Sequence, residues 1–346
     1  MLKQLRGIAL VALAVALTAT TACSSGNSGT PAPDSNANKE PDKITYVTAF
    51  GAVGRDAFAW VAQDQGFFRD AKLDVTIQLG AAVDQNLTAL ASGQAQFAAL
   101  DLTGAFIQAG VGKFTDFRAI AAIHQQTLVS IIAYEGGTVA QPKDLEGKKV
   151  GAATGSVNQL LFPAYAQLAG IDAKKVTFVN VAPPQLNALL ASAQVDALST
   201  FLIGRGGIEK AGGGKRALVM PYSDYLSDLF GNGLVTTAAL AKDNPDLVKR
   251  FRDAMLKALQ WTIDNPDQAA EILKKAQPAA DTAAAVGEIK SMTPYVKPAA
   301  AGAAIGALDQ QRVAKALAIL QGAGLMPAGL APDKVVAFDL VPGAAK

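Results

Sequence analysis

The feature that most constrains the fold is an alternation of short β-rich runs with stretches at helical period, which begins near Lys43. The predicted strands of the first cycle cover residues 44–50, 73–77 and 97–100. The helices between them cover residues 56–65 and 83–92, and each stops at a glycine that can end a helix. Strands separated by single helices form parallel βαβ units, so the pattern predicts an α/β protein.

The same cycle restarts after Gly136 and Gly137. Its predicted strands cover residues 149–152, 176–179 and 196–199. Its predicted helices cover residues 157–168 and 185–192. About 300 residues exceed what one core usually supports, so we expect two Rossmann-like lobes joined by a hinge. Lobe 1 is predicted to comprise residues 43–133 plus 237–346 and lobe 2 residues 134–236, with the chain crossing near Ile131–Glu135 and Leu234–Ala239.

The late part of the chain is predicted to be almost entirely helical. Asn244-Pro245 and Asn265-Pro266 each place a capping side chain before a proline at the first helical position. In the first of these helices, Phe251 belongs to an apolar stripe at helical spacing. We interpret this stripe as core, packed on lobe 1, and assign it no chemistry.

The N-terminus is typical of an exported protein. Lys3 and Arg6 precede an apolar run that is shorter than the roughly 20 residues that span a bilayer. Residues 1–22 are therefore predicted to be a signal peptide. The small residues before Cys23 resemble the lipobox of bacterial lipoproteins, with Thr20 at the position where Leu is usual. The resemblance implies a lipid anchor on Cys23; the alternative is an ordinary signal peptide with an incidental cysteine.

Residues 23–42 are nearly devoid of apolar side chains and predict a lipidated flexible tether. Two of the 31 basic residues lie in the signal peptide, which leaves 29 basic against 29 acidic residues. Nucleic acid is therefore excluded as a partner, because phosphate contacts need a basic surplus. One cysteine and one histidine also exclude an internal disulfide, a thiol metal cluster and a histidine-rich metal site, so no metal and no cofactor are predicted.

Candidate ligand-binding groups follow the predicted strands, because open parallel sheets bind ligands beyond the carboxyl ends of their strands. Two such turns come from each lobe. They cover Phe50–Asp56, Asp101–Thr103, Thr154–Asn158 and Thr200–Leu202. In the third turn, Gly155 permits close approach of a ligand to the backbone and Ser156 offers a hydroxyl, with Thr154 and Asn158 beside them. The alternative for Ser156 is helix capping.

The other candidates also have structural alternatives. Asp101 and Thr103 bind a ligand or cap the next helix. Phe50 and Phe201 stack on a ligand or belong to the core. Arg55 pairs with an anionic ligand or faces water. His124, at the end of an apolar run near the predicted hinge, is either a ligand contact or structural.

Four phrases resemble the nitrate, sulfonate, taurine and thiamine-precursor group of type II periplasmic binding proteins. They lie in the family's order and are WVAQDQGFF at 60–68, LASGQAQF at 90–97, KDLEGKKVG at 143–151 with Gly155-Ser156 after it, and LLASAQVDA at 189–197. Gln96 stands where the family has Asp, and Ala193 where Gly is usual. The third phrase is the most specific.

The resemblance implies the type II periplasmic-binding-protein fold and a monomeric, lipid-anchored solute-binding component of an ABC importer on the extracytoplasmic face of the cell membrane. Its partners would be a small polar or anionic solute, such as a sulfonate, nitrate or a thiamine pyrimidine, and a membrane permease driven by an ATPase. One alternative is an enzyme of the same fold, a thiamine-pyrimidine synthase, although the Cys-rich motif of that group is absent. The other is a surface lipoprotein without a transport role. We expect a binding protein, with no catalytic residues.

Overall fold

The structure, a computed structural model, describes residues 40–153, 156–298 and 302–343. The predicted signal peptide, Cys23 and nearly all of the predicted tether lie outside the described residues, as do Thr154 and Gly155. No helix in the described ranges combines the length and the apolar character needed to cross a bilayer.

Ten strands and thirteen α-helices form the described part of the chain. The strands are β1 (Asp42–Val47), β2 (Leu73–Gln78), β3 (Phe97–Asp101), β4 (Phe117–Ala122), β5 (Val129–Tyr134), β6 (Lys149–Ala153), β7 (Thr177–Val181), β8 (Ala197–Phe201), β9 (Ala217–Pro221) and β10 (Asn232–Thr237). The helices of the first 211 residues are α1 (Phe58–Asp64), α2 (Phe67–Asp70), α3 (Val83–Ala91), α4 (Leu102–Gly110), α5 (Val157–Leu160), α6 (Phe162–Leu168), α7 (Leu186–Ala191) and α8 (Arg205–Ala211). Those that follow are α9 (Ala238–Asp243), α10 (Pro245–Asp264), α11 (Pro266–Ala276), α12 (Thr282–Val296) and α13 (Gln310–Gly322).

The strands form two mixed five-stranded sheets, one in each lobe. Their orders are β2-β1-β3-β10-β4 and β7-β6-β8-β5-β9. In each sheet four strands run in the same direction, three of them paired as the βαβ pattern predicts, and one strand, β10 in the first sheet and β5 in the second, runs antiparallel between two others. The prediction of two α/β lobes is thus confirmed by the sheets.

The positions of the two antiparallel strands, β5 and β10, differ from the prediction and move the crossings between the lobes. β5 belongs to the second sheet and β10 to the first, so the chain crosses at residues 123–128 and 222–231. The predicted crossings, Ile131–Glu135 and Leu234–Ala239, begin inside these strands and run past their ends. The cause is that both strands are almost fully buried, and an apolar run identifies a central strand without indicating which sheet it joins.

The late helices cover the first sheet. Phe251 of α10 is fully buried and stacks on Phe97 of β3, with 4.0 Å between ring centroids. Phe68 and Tyr46 complete the aromatic group around it, at 6.1 and 5.7 Å. The interpretation of the α10 stripe as core is confirmed by its burial.

Candidate functional site

A buried carboxylate holds the turn that follows β1 through a hydrogen bond. Asp56 is 1 % exposed, and its Oδ1 accepts a hydrogen bond from the Ala49 amide at 2.9 Å. Gly54 packs directly against α12, where a Cβ would lie 2.3 Å from the carbonyl oxygen of Ala285. Any side chain at position 54 would therefore push α12 away from the turn, and the glycine keeps the two elements in contact.

This turn places Arg55 between aromatic rings of both lobes. The guanidinium carbon lies 5.4 Å from the ring centroid of Phe50 in lobe 1 and 5.4 Å from that of Phe201, at the end of β8 in lobe 2. Both contacts are cation–π in character. The Arg55 amide donates to Glu288 of α12 at 3.2 Å, while its Nε lies 3.7 Å from Asp56 Oδ2 without a hydrogen bond.

Carboxyl groups surround this cation. Burial raises the pKa of Asp56 and of Glu288, and raises that of Asp101 to about 6. In each case the positive charge of Arg55 opposes the increase. The positive charge of Arg55 thus acts on three acidic groups of the protein itself.

His124 lies in the first crossing segment and is 1 % exposed. Its Nδ1 accepts a hydrogen bond from the Asn232 amide at 3.3 Å, so the proton of the neutral ring is on Nε2. Burial, together with the positive charge of Arg55, lowers the pKa of His124 to about 3. The ring is therefore neutral at physiological pH, and its buried Nε2–H has no hydrogen-bond partner among the described residues.

The side chains of Asp101 and Thr103 form hydrogen bonds within the protein. Asp101 Oδ1 accepts from the Gly104 amide at 2.8 Å, which is the capping role considered for it. The Thr103 hydroxyl donates to the carbonyl of Phe230 in the second crossing segment at 2.8 Å. Thr103 therefore joins lobe 1 to the crossing segment, and its hydroxyl proton is not free for a ligand.

The turn after β6 provides two polar side-chain atoms without partners in the described structure. Ser156 Oγ is buried, and no side-chain cap is formed at the start of α5. Asn158 is 3 % exposed, and its Oδ1 is also buried without a partner. The main-chain carbonyl of Asn158 accepts from Ser199 Oγ at 3.3 Å and from the Tyr222 hydroxyl at 3.4 Å.

Five of the predicted residues interact with one another through Arg55, either by contact between its guanidinium and a ring or by the effect of its charge. We call this group the interlobe cluster; its members are Phe50, Arg55, Asp101, His124 and Phe201. Ser156 and Asn158 follow β6, which pairs with β8, the strand that ends at Phe201. Burying polar atoms without partners is unfavourable, by about 1–3 kcal/mol for each group. Such atoms at the carboxyl ends of strands from both lobes indicate a place for a ligand.

Sequence reasoning missed Asp56, Glu288, Ser199 and Tyr222. Asp56 could have been found, because it is an acid beside Arg55 at the start of a helix. Glu288 could not, because nothing in the sequence of α12 links it to a turn 233 residues away.

A concavity of about 650 Å³ on the outer side of lobe 1 is a competing location. It lies between α1, α10, α11 and α12 and is lined by residues such as Trp261, Ile272 and Glu271. None of its described lining residues carries a buried polar atom without a partner. It is an open groove between helices, and the unsatisfied polar groups favour the interlobe cluster instead.

Two lobes, each with a mixed five-stranded sheet and joined by two crossing segments, define the periplasmic-binding-protein fold. Solved structures agree: the periplasmic aliphatic sulphonate-binding protein SsuA from Escherichia coli superposes with a TM-score of 0.68 at 15% identity, covering 86% of this chain and 92% of that one. The nitrate-binding protein NrtA from Synechocystis PCC 6803 superposes with a TM-score of 0.67 at 17% identity, covering 87% of each chain.

The chain belongs to the NMT1/THI5 like family, whose profile matches residues 56–269. The riboflavin-binding protein RibY from Chloroflexus aurantiacus is 22% identical over 350 residues, 97% of each chain. The formylaminopyrimidine-binding protein from Halalkalibacterium halodurans is 24% identical over 217 residues, 62% of this chain and 65% of that protein. The family resemblance stated from the sequence motifs is thereby confirmed.

Proposed function

We propose that this chain is the extracytoplasmic solute-binding component of an ABC importer and that it encloses one small solute between its lobes. The observation that carries the proposal is the set of buried, unpartnered polar atoms contributed by both lobes. Near Arg55 and after β6, the atoms without a hydrogen-bond partner among the described residues are Arg55 Nε and Asp56 Oδ2, which lie 3.7 Å apart, and His124 Nε2, Ser156 Oγ and Asn158 Oδ1. A solute that meets them would replace its hydration shell with fixed polar groups and hold the lobes together.

The charge balance narrows the class of solute. A sulfonate or nitrate would bring its negative charge beside Asp56, Asp101 and Glu288, with Arg55 as the cation that acts on all three. His124 remains neutral and adds no positive charge. A neutral solute avoids this repulsion and can still accept hydrogen bonds from Arg55 and His124.

The aromatic rings favour a planar solute. Phe50 and Phe201 face the same planar guanidinium from opposite lobes, and Phe50 is 45 % exposed. Ring faces of this kind stack on flat heterocycles. Riboflavin and formylaminopyrimidine, named for two relatives, are flat and bear hydrogen-bonding edges, which supports a neutral planar heterocycle as the class of solute.

The proposals on export, on membrane anchoring and on the importer partners rest on the sequence. We propose that residues 1–22 are removed, that Cys23 carries the lipid anchor, and that residues 24–42 tether a monomeric binding protein outside the membrane. The permease and its ATPase follow from the family resemblance. We propose capture without catalysis. Because the thiamine-pyrimidine synthase group consumes pyridoxal phosphate, a pyridoxal absorbance band in the purified protein would instead favour that alternative.

Calorimetric titration with four probes tests the class of solute: riboflavin, formylaminopyrimidine, the sulfonate MOPS and nitrate. We expect binding of at least one of the two heterocycles and none of MOPS or nitrate at the same concentrations. Phe201→Leu should weaken the binding of the heterocycle, whereas Leu168→Ala, an exposed position on α6, should not. Tight binding of MOPS or nitrate, unaffected by Phe201→Leu, would contradict the proposal.

A further inference from the structure

The two crossing segments lie side by side and are joined by main-chain hydrogen bonds. The Gly231 amide donates to the His124 carbonyl at 3.2 Å, and the Thr127 amide to the Leu229 carbonyl at 2.9 Å. Closure of two lobes takes place through backbone changes in such segments. A group that holds both segments at once therefore influences how the lobes are arranged.

Arg312, on α13 of lobe 1, contacts both crossing segments. Its guanidinium donates to the carbonyl oxygen of Gln125 and, at 3.0 Å, to the Gln125 side-chain oxygen in the first segment. In the second segment it donates to the Ser227 carbonyl at 3.1 Å and lies 4.2 Å from the ring centroid of Phe230. Asp228 is 3.9 Å from its Nε, so most of its short contacts are to uncharged groups.

Arginine is suited to this position for a geometric reason. Its planar guanidinium presents five donors in a fixed fork, so it can meet acceptors in two segments and stack on a ring at the same time. A lysine offers a single ammonium group and cannot reach all of these partners at once. The side chain is also partly buried, and burial lowers the pKa of Arg312.

Gln125 connects this contact to the interlobe cluster. It follows His124 directly, it is 5 % exposed, and its amide donates to the Tyr295 carbonyl at 2.6 Å. Its side-chain nitrogen donates to the Ala307 carbonyl at 3.0 Å. Holding Gln125 in place therefore also restrains the main chain next to His124.

We propose that Arg312 is a positioning residue that holds both crossing segments against lobe 1, sets the resting arrangement of the two lobes and orients His124. The inference concerns the hinge and is independent of which solute binds. It gives α13, a helix outside the interlobe cluster, a role in capture.

One test uses the fact that His124 is the only histidine of the chain. Protein labelled with ¹⁵N-histidine and free of a histidine tag gives one set of imidazole signals. Arg312→Lys should shift and broaden these signals, because the ring loses its fixed orientation. Lys315→Met, on the exposed face of the same helix, should leave them unchanged.

A second test measures the hinge itself. Fluorophores on Lys249→Cys in lobe 1 and Lys174→Cys in lobe 2, in a Cys23→Ser background, report the distance between lobes by single-molecule energy transfer. We expect a shifted and wider distance distribution in Arg312→Lys and an unchanged one in Lys315→Met.

Wild-type distances and imidazole signals in folded Arg312→Lys would overturn the proposal. If that variant does not fold, Phe230→Leu, which removes the ring next to the guanidinium, is measured in its place. Wild-type distances and imidazole signals in Phe230→Leu would then overturn the proposal, and changes in both would support it. This variant weakens the contact of Arg312 with the second crossing segment alone.

Discussion

At the residue scale, the candidate site depends on a few side chains whose polar atoms are buried and lack hydrogen-bond partners in the described structure. His124 is the clearest of them: the Asn232 amide fixes the tautomer through Nδ1, and Nε2–H is left as a donor. Its lowered pKa follows from burial and from Arg55, so it acts as a neutral donor and not as a cation.

Two substitutions at position 124 distinguish the role of Nδ1 from that of Nε2. Asparagine can still accept from the Asn232 amide but has no group at the position of Nε2, whereas glutamine can place a donor there. Loss of one hydrogen bond contributes about 0.5–1.5 kcal/mol, so His124→Asn should bind the best solute of the calorimetric series roughly 2- to 12-fold more weakly. His124→Gln should lose less. Wild-type affinity in both variants, by calorimetry, would remove His124 from the site.

Asp101 predicts a pH dependence of stability. Its pKa is about 6 in the folded protein and 3.8 ordinarily, so between about pH 4 and pH 6 the folded state holds a proton that the unfolded state has lost. The contribution of this group to the free energy of unfolding therefore falls as pH rises through that window, by at most about 3 kcal/mol. His124, with its pKa lowered to about 3, acts in the opposite direction below its ordinary value of 6.5.

The comparison of variant with wild type isolates the Asp101 effect. Asn at position 101 can still accept from Gly104 but does not titrate. The free energy of unfolding of Asp101→Asn minus that of the wild type should rise between about pH 4 and pH 6 and then level off. Urea unfolding at several pH values measures this difference, and parallel pH curves would show that the pKa of Asp101 is not raised.

At the element scale, helices and strands could be predicted well where the hydrophobic period was long. The stripe of α10 is an example, and Asn244 caps that helix as predicted, accepting from the Leu247 amide at 3.2 Å. Asn265 does not cap α11; its side chain donates back to the Trp261 carbonyl at 2.9 Å instead. A capping residue has more than one hydrogen-bonding choice, and the sequence alone does not decide between them.

Phe251→Ala tests whether α10 is scaffold. The side chain is fully buried within an aromatic group, so its removal should lower the free energy of unfolding by roughly 3–5 kcal/mol. The affinity of the protein that remains folded should be nearly unchanged. Lys249→Ala, exposed on the same helix, is the control for stability in urea unfolding. A large loss of affinity with an unchanged melting temperature would place α10 in the site.

At the scale of the whole molecule, the two-lobe architecture could be predicted because the βαβ cycle occurs twice, while the exchange of β5 and β10 between sheets could not. Strand-end positions made Arg55 and His124 candidates, and the structure brings both into the interlobe cluster. Such positions did not lead to Glu288 or Arg312, because helices far away in sequence reach these segments only through tertiary packing. Long-range contacts of this kind leave no local pattern.

The predicted anchor is tested on the intact cell. Cys23→Ala should move the protein out of the membrane fraction and abolish incorporation of labelled fatty acid, because no other cysteine is present. A wild-type protein that takes up no label would contradict lipidation, and its release into the medium would favour an ordinary signal peptide.

The proposed function requires that both lobes hold the solute together. Hydrogen exchange followed by mass spectrometry measures this directly, with and without the solute that binds best in calorimetry. We expect slower exchange on binding in both the Phe50–Asp56 turn of lobe 1 and the region of Ser156 to Leu160 in lobe 2, with no change around Trp261 and Glu271. Protection confined to one lobe, or centred on the outer groove of lobe 1, would contradict the proposed function.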